Sequence, residues 1–470
     1  MPDLKVAALT ASSSVSPTLS DFWHQPLTKP IAIVRATRRT YWNVVNQVKP
    51  SRSLPRRLLR HLVRFLLVCA VLLGPNLVFF GRWDYPDQSL PAIPVGSDDS
   101  VAAPGLPPEL SDHLLKELRV SREKVGLPSM SAAIAYDGKL QWAGATGFAN
   151  IESKQLATVR SRYRTGSVAK PLTAVALVRL IDAGKIDINM PISHYVTGLP
   201  TTLQPLTADQ LGSHRAGIRH YSLIPQWWMG WHENYSTHDY ASVADGLALF
   251  VDDGLRFEPG TGFQYSTFGY SLLARLMEGA SQSTFAQILD ESVFSPAGMT
   301  DTAVDTTAAM PRRVAFYQAE AGRYTPSYPI NSSYKTAGGG LVTTPSDLVR
   351  LGVALLGDDF VSKEAKKTLW TPRALADGSI NPENYGIGWR IDTSVRLLGE
   401  KQPTQIFHHG GTQQGAAAFF MLLPEYGISV AVMSNSGRGV ARKEAQEAAY
   451  ALARRVIKFK NASSPNNSER

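Results

Sequence analysis

Three serines in this chain stand three positions before a lysine: Ser121/Lys124, Ser167/Lys170 and Ser332/Lys335. At that spacing on a helix, hydroxyl and amine share one face. A neutral amine there can take the serine proton and make the oxygen a nucleophile. Surroundings separate the three pairs. Ser121 lies in a charged, surface-type stretch and Ser332 in a Ser/Tyr/Gly loop. Ser167 stands third in TGSVAKPLTAVALVRLIDAG, which carries no charge between Lys170 and Arg179 and is closed by Gly184. A buried helix starting there turns its first amides and positive dipole end on Ser167, favouring an alkoxide and a developing oxyanion. The same field, with burial, lowers the lysine pKa. The ordinary reading of the same residues is an N-cap serine and a lysine whose stem snorkels to water.

Two further stretches carry groups suited to the same chemistry. FEPGTGFQYSTFGYSLLARLMEGAS places Tyr265 and Thr267 ahead of another apolar helix, and a tyrosine hydroxyl can serve as base or return a proton to a leaving group. FHHGGTQQGAAAFF sets His409, Gly410 and Gly411 on a strand whose glycines let a substrate backbone lie close, and an amide beyond it can act as an oxyanion donor. A core tyrosine and an edge histidine are the ordinary alternatives.

The elements that must position these groups are an antiparallel sheet and helices. ELSDHLLKELRVSREKV has helical spacing, and MSAAIAYDGKLQWAGATGFAN reads as a hairpin about Asp137-Gly138. From about 185 to 330 the pattern is helical and loop, and strands return in YGIGWRIDT, QIFHHGG, GAAAFFMLLP and ISVAVMSNS before a last helix at 442–458. The expected fold is α/β (α+β): an antiparallel sheet flanked by helices, with an inserted all-helical subdomain.

The order Ser-x-x-Lys, Tyr-x-Thr, His-x-Gly resembles the motif order of the class C β-lactamase, D-alanyl-D-alanine carboxypeptidase and esterase group of penicillin-recognising serine hydrolases. GKIDINMPISHYV, LTADQLGSHRAGI, PAGMTDT and AGGGLVTTPSDLVRL are similar to that group as well, over about residues 110–458. YSTFGY resembles the mitochondrial β-lactamase-like serine peptidase branch. The resemblance implies Ser167 as nucleophile, Lys170 as base or proton shuttle and Tyr265 as second acid/base group. It also implies Thr267, His409, Gly411 and Thr412 as substrate or oxyanion contacts, the oxyanion held by the Ser167 and Thr412 amides. His408 is the other register for the third motif; His409 places Gly415 at the family's usual distance. Thr267 replaces an asparagine and His409 a lysine. A largely neutral imidazole in place of a fixed cation points away from β-lactams and toward esters or peptides. His409→Lys is then expected to favour anionic substrates, whereas the wild type is expected to show a pH effect near the histidine pKa. An inactive scaffold or peptidoglycan/ligand-binding relative of the same fold is the alternative function.

Charge bears on address rather than chemistry. Of 48 Lys+Arg and 39 Asp+Glu, residues 1–64 hold 11 and 2, a balance of +9, which leaves 37 against 37 for the remainder. The globular part thus has no basic field for nucleic acid. Residues 1–61 form a basic tail and 62–81 an expected transmembrane anchor. Residues 82–108 read as a Pro-rich linker, 109–460 as the hydrolase domain and 461–470 as a disordered tail. Arginines before the anchor place the domain in the periplasm of a bacterial inner membrane. An Arg-rich, acid-poor leader also fits a mitochondrial inner membrane facing the intermembrane space, the main competing address, and a cleaved signal peptide is the rival to an anchor. Substrate and membrane are the expected partners, with no metal or other cofactor. His214 and His220 flank RAGIR without a metal-ligand pattern and read as structural. IPQWWMGWHENY, residues 224–235, reads as either a lid over the site or packing of the insertion.

Overall fold

The computed structural model describes residues 58, 60–70, 86–221, 233–437 and 439–463. Residues 1–70 and 71–470 form separate units. In the first, residues 60–70 are helical and mostly exposed. Of the expected anchor, residues 71–81 lie outside the described residues, as do most of the basic tail, residues 224–232 of the tryptophan stretch and the last seven residues. No helix among the described residues is long and apolar enough to cross a membrane.

The second unit is built on an antiparallel sheet. Its strands β1 (Asp99–Ala102), β2 (Ser129–Tyr136), β3 (Lys139–Asn150), β4 (Arg390–Ser394), β5 (Thr404–Gln413), β6 (Ala416–Leu423) and β7 (Ile428–Ser434) lie in the order β4-β5-β6-β7-β2-β3-β1. The two ends of the fold meet in its middle, where β7 pairs with β2 and Val432 faces Ala132. Everything between β3 and β4 is an excursion from the sheet. The β2–β3 hairpin turns at Asp137 and Gly138, both at positive φ (51° and 73°), as a two-residue Asp-Gly turn requires.

The five longer helices are α1 (Pro108–Val125), α2 (Ala169–Asp182), α3 (Thr267–Ser281), α4 (Pro345–Leu356) and α5 (Gly439–Ser463), of which α1, α4 and α5 pack on the sheet. Leu110, Leu114 and Leu118 form the buried stripe of α1, which Gly126 ends in a left-handed cap. Alternation along the strands divides the core. Ala132, Ile134, Val430 and Val432 pack with α1 and α5, while Ala133, Ala135, Ala431 and Met433 join the cluster containing α2, α3 and α4. Burial on both faces explains why these strands read as unbroken apolar runs.

Two boundaries differ from the sequence expectation. The segment read as a linker supplies β1, which pairs along β3 with Ser100 opposite Gly144, and Gln88–Ser89, which pairs with Arg323–Pro326. The insertion is not all helical, since Ala303–Val304, Tyr317–Glu320 and Arg323–Pro326 are strands. Strands of two to four residues are too short to show a period of two, so alternation could not reveal them.

Candidate active site

Ser167 sits in a 3-10 turn, Gly166–Val168, that runs directly into α2. Its side chain caps neither element. Lys170, one turn on, has no exposed surface. The N-cap and snorkelling readings both fail on those facts. Around the lysine Nζ stand the Gly338 carbonyl at 2.7 Å, Thr267 Oγ1 at 3.1 Å and Ser167 Oγ at 3.4 Å. Burial holds the Lys170 pKa well below the usual lysine range, helped by the Arg390 and Lys335 charges.

The Ser167 turn is clamped against the end of β5. A carbon added at Gly411 would stand 2.0 Å from Thr165 O and 3.1 Å from Ser167 N. Gly166, at φ +48°, packs on the Thr412 backbone, 2.7 Å from the amide nitrogen by the same measure. Only hydrogen fits at both positions, so the Ser167 and Thr412 main chains lie side by side. β4 pairs with β5 as far as Arg390 opposite His408. His409 to Thr412 therefore extend past the end of the edge strand.

Tyr265 and Thr267 enter at the N-terminus of α3, whose cap, Ser266, accepts from Gly269 N. One loop grips this segment from behind. Ser266 N donates to His214 Nδ1 and Thr267 N to His220 Nδ1, each at 3.2 Å, while Ser266 Oγ donates to Arg219 O at 2.6 Å. The His214 and His220 rings also flank Tyr265, with centroids 4.4 and 5.6 Å away. Burial pushes the His220 pKa down to about 3 and that of His214 well below its usual value. Both therefore stay neutral and keep the lone pair that accepts the amide proton. Tyr265 itself is pushed up to about 12 by burial, against opposing pulls from the Arg390 cation and the adjacent Ser167 hydroxyl. Its neutral phenol can donate a proton; the phenolate reading has no support near neutral pH.

His409 faces this site, 6.2 Å from Tyr265 ring to ring. His408 points to the other face of the sheet, against Asp392 at 2.7 Å and Phe419. His409 is fully buried, and both its nitrogens are engaged. Gly410 O can only accept, so Nδ1 donates to it at 2.7 Å and Nε2 accepts from Tyr385 Oη at 2.9 Å. Burial, Arg390 and Lys170 hold its pKa well below the histidine range. The expected pH effect near an ordinary histidine pKa thus has no basis, and the imidazole has no free nitrogen for a substrate.

Four features escaped the sequence reading. Gly338 O reaches Lys170 from the helical turn Thr336–Gly339, and the run TAGGGL was its only trace. Arg390, paired with Glu383 at 2.5 Å, lies 5.7 Å from the Tyr265 ring. The grip of His214 and His220 spans about fifty residues of chain. Lys335, in the third Ser-x-x-Lys, is buried nearby rather than sitting in an open loop.

Comparisons with known proteins agree with this architecture. The family model described as Beta-lactamase matches residues 115–455. The chain is similar to the human Serine beta-lactamase-like protein LACTB, mitochondrial, at 26% identity over 397 residues, 67% of this chain and 72% of that protein. It is also similar to Penicillin-binding protein 4* of Bacillus subtilis (strain 168), at 27% identity over 317 residues, 64% of this chain and 66% of that protein. The penicillin-binding protein homologue from Pyrococcus abyssi superposes with a TM-score of 0.59 at 23% identity, covering 76% of this chain and 78% of that one. D-amino acid amidase from Ochrobactrum anthropi SV3 does so with 0.61 at 21% identity, covering 76% and 100%. At these identities the structural likeness establishes the fold.

Proposed function

The chain belongs to the beta-lactamase family of serine hydrolases, and we propose that it cleaves ester or amide bonds through an acyl-enzyme on Ser167. The arrangement around Lys170 carries this reading. A neutral amine has two protons and one lone pair. Gly338 O at 2.7 Å and Thr267 Oγ1 at 3.1 Å take the protons, which leaves the lone pair for the hydroxyl of Ser167 at 3.4 Å. No carboxylate among the described residues forms an ion pair with this lysine, and burial favours its neutral form.

In the proposed sequence Ser167 Oγ bonds to the substrate carbonyl carbon as its proton passes to Lys170 Nζ. The carbonyl oxygen becomes an anion held by the Ser167 and Thr412 amides. Tyr265, neutral and beside the Ser167 hydroxyl, relays the proton to the leaving oxygen or nitrogen as the carbon–heteroatom bond breaks. Water then attacks the ester on Ser167, its proton going to Lys170, and the acid is released with the serine restored. Thr267 supplies a hydroxyl to Lys170 in place of an amide for substrate. His409, neutral and enclosed, supplies no cation for a β-lactam carboxylate. Both favour esters and peptides over β-lactams.

The relatives named as mitochondrial and the basic, acid-poor leader together support a mitochondrial address for this chain, with residues 62–81 tethering it to a membrane.

The test is labelling with a fluorophosphonate. Wild type should form an adduct on the peptide carrying Ser167 and turn over a p-nitrophenyl ester, and Ser167→Ala should lose both. Labelling that survives Ser167→Ala undiminished refutes the assignment, and a folded wild type that neither labels nor turns over favours the scaffold reading.

A further inference from the structure

The third Ser-x-x-Lys pair holds a buried lysine with no hydrogen-bond acceptor among the described residues. Ser332 is fully engaged: its hydroxyl donates to Asp305 Oδ2 at 3.1 Å and accepts from Gln413 Nε2 at 2.7 Å. That fixes the Gln413 amide and leaves its buried Oε1 without a donor. Lys335 is 2% exposed. Its Nζ stands 5.7 and 5.2 Å from the ring centroids of Tyr221 and Tyr334, and no oxygen among the described residues takes its protons. Asp305, the carboxylate whose charge reaches it, is already held by Arg164 at 2.7 Å and Arg313 at 3.4 Å.

The neighbourhood ties Lys335 to the groups around Lys170. Its charge reaches both Lys170 and His220, and the turn it begins delivers Gly338 O to Lys170. Tyr265 is surrounded by Arg390, His409 and Tyr385, where a leaving group collects its proton. Thr267 has Lys170 and Tyr221 beside it, with Lys335 beyond. A buried cation that must share Asp305 with Arg164 and Arg313 is poorly compensated. Burial and Arg164 accordingly bring the Lys335 pKa down to about 7, and an incoming anion would restore its charge.

We propose that Lys335 is the anion-binding residue of an acyl-side subsite, so that the preferred substrates carry a carboxylate on the portion that acylates Ser167. This rests on the acyl-serine reading above and narrows it to acidic acyl groups.

The experiment uses the full chain and two esters differing only in charge at the far end, 4-nitrophenyl hydrogen adipate and 4-nitrophenyl methyl adipate. Wild type should favour the acid in kcat/KM by about tenfold or more, the size of a desolvated charge-assisted contact. Lys335→Met should bring that ratio to near one, and Lys335→Arg should keep most of it. A ratio measured on one preparation does not depend on the folded fraction, so partial unfolding cannot mimic the result. No preference for the acid in wild type, or a preference that survives Lys335→Met, overturns the proposal. If the methyl ester alone turns over, the hydrolase reading stands and this inference falls. If neither ester turns over, this inference falls too, and fluorophosphonate labelling of Ser167 then decides the hydrolase reading.

Discussion

The proton on Lys170 sets the pH dependence of the proposed reaction. A base must be deprotonated, so kcat/KM for a neutral ester is retained above the Lys170 pKa and lost as pH falls through it. Burial places that limb well below the ordinary lysine value of 10.5. Tyr265, pushed up to about 12, keeps its proton throughout, so no decline is expected between pH 8 and 10. A pH profile with its midpoint near 10.5, or a loss of activity from pH 8 to 10, contradicts these assignments. The environment of His409 reverses the substitution effect expected from the sequence. A lysine there would be placed in a fully buried position whose ring now accepts from Tyr385, near Lys170 and Arg390. An uncompensated charge in such a place costs on the order of 3 kcal/mol. His409→Lys should therefore lower the melting temperature by several degrees without gaining cephalosporin turnover. An unchanged melting temperature with faster cephalosporin hydrolysis would refute this account of the position.

Elements hold these side chains in register, and the tightest constraint is the crossing of β5 and the Ser167 turn. Gly411→Ala puts a carbon against Thr165 O, where 2.0 Å is available, and backbone must move to admit it. Displacing a nucleophile by about 1 Å can cost about a hundredfold in rate. We expect kcat for the ester to fall by about that factor while circular dichroism shows the fold retained; a loss of less than about threefold would show that the turn adjusts. The same crossing explains what could be read from the sequence. Ser167 and Lys170 are one helical turn apart, and Tyr265 and Thr267 share one short motif, so local spacing exposed them. The Asp137-Gly138 hairpin and the apolar strands were legible for the same reason. His214 and His220 act on main-chain amides 52 and 47 residues away. Gly338 acts through its carbonyl, which carries no side-chain signature. Such contacts exist only after the sheet has brought distant segments together.

For the whole molecule, charge and architecture divide at different places. The +9 excess belongs to residues 1–64, yet the folded unit begins well before Glu109, where helical periodicity first shows. β1 completes the sheet edge on β3. Arg119 pairs with Asp98 at 2.5 Å, and the Asp99 carboxylate accepts from Val159 N at 2.9 Å. Gln88–Ser89 adds a strand to the small sheet of Tyr317–Glu320 and Arg323–Pro326. Removing residues 86–108 exposes the β3 edge and leaves its backbone amides and carbonyls to water, an unprotected template for association. It takes nothing from the hydrogen bonds around Ser167, Lys170 and Thr267. A chain starting at Glu109 should therefore still label at Ser167 when freshly folded. It should melt on the order of 5 °C below one starting at Pro86, a loss of about 4 kcal/mol for a domain of this size, and aggregate sooner on warming. Melting curves from differential scanning fluorimetry on the two chains, with fluorophosphonate labelling of each, decide the matter. Equal melting temperatures would mean that the segment is a tether after all. A drop in melting temperature with labelling intact makes residues 86–108 part of the catalytic fold and moves the start of any tether to the residues before them.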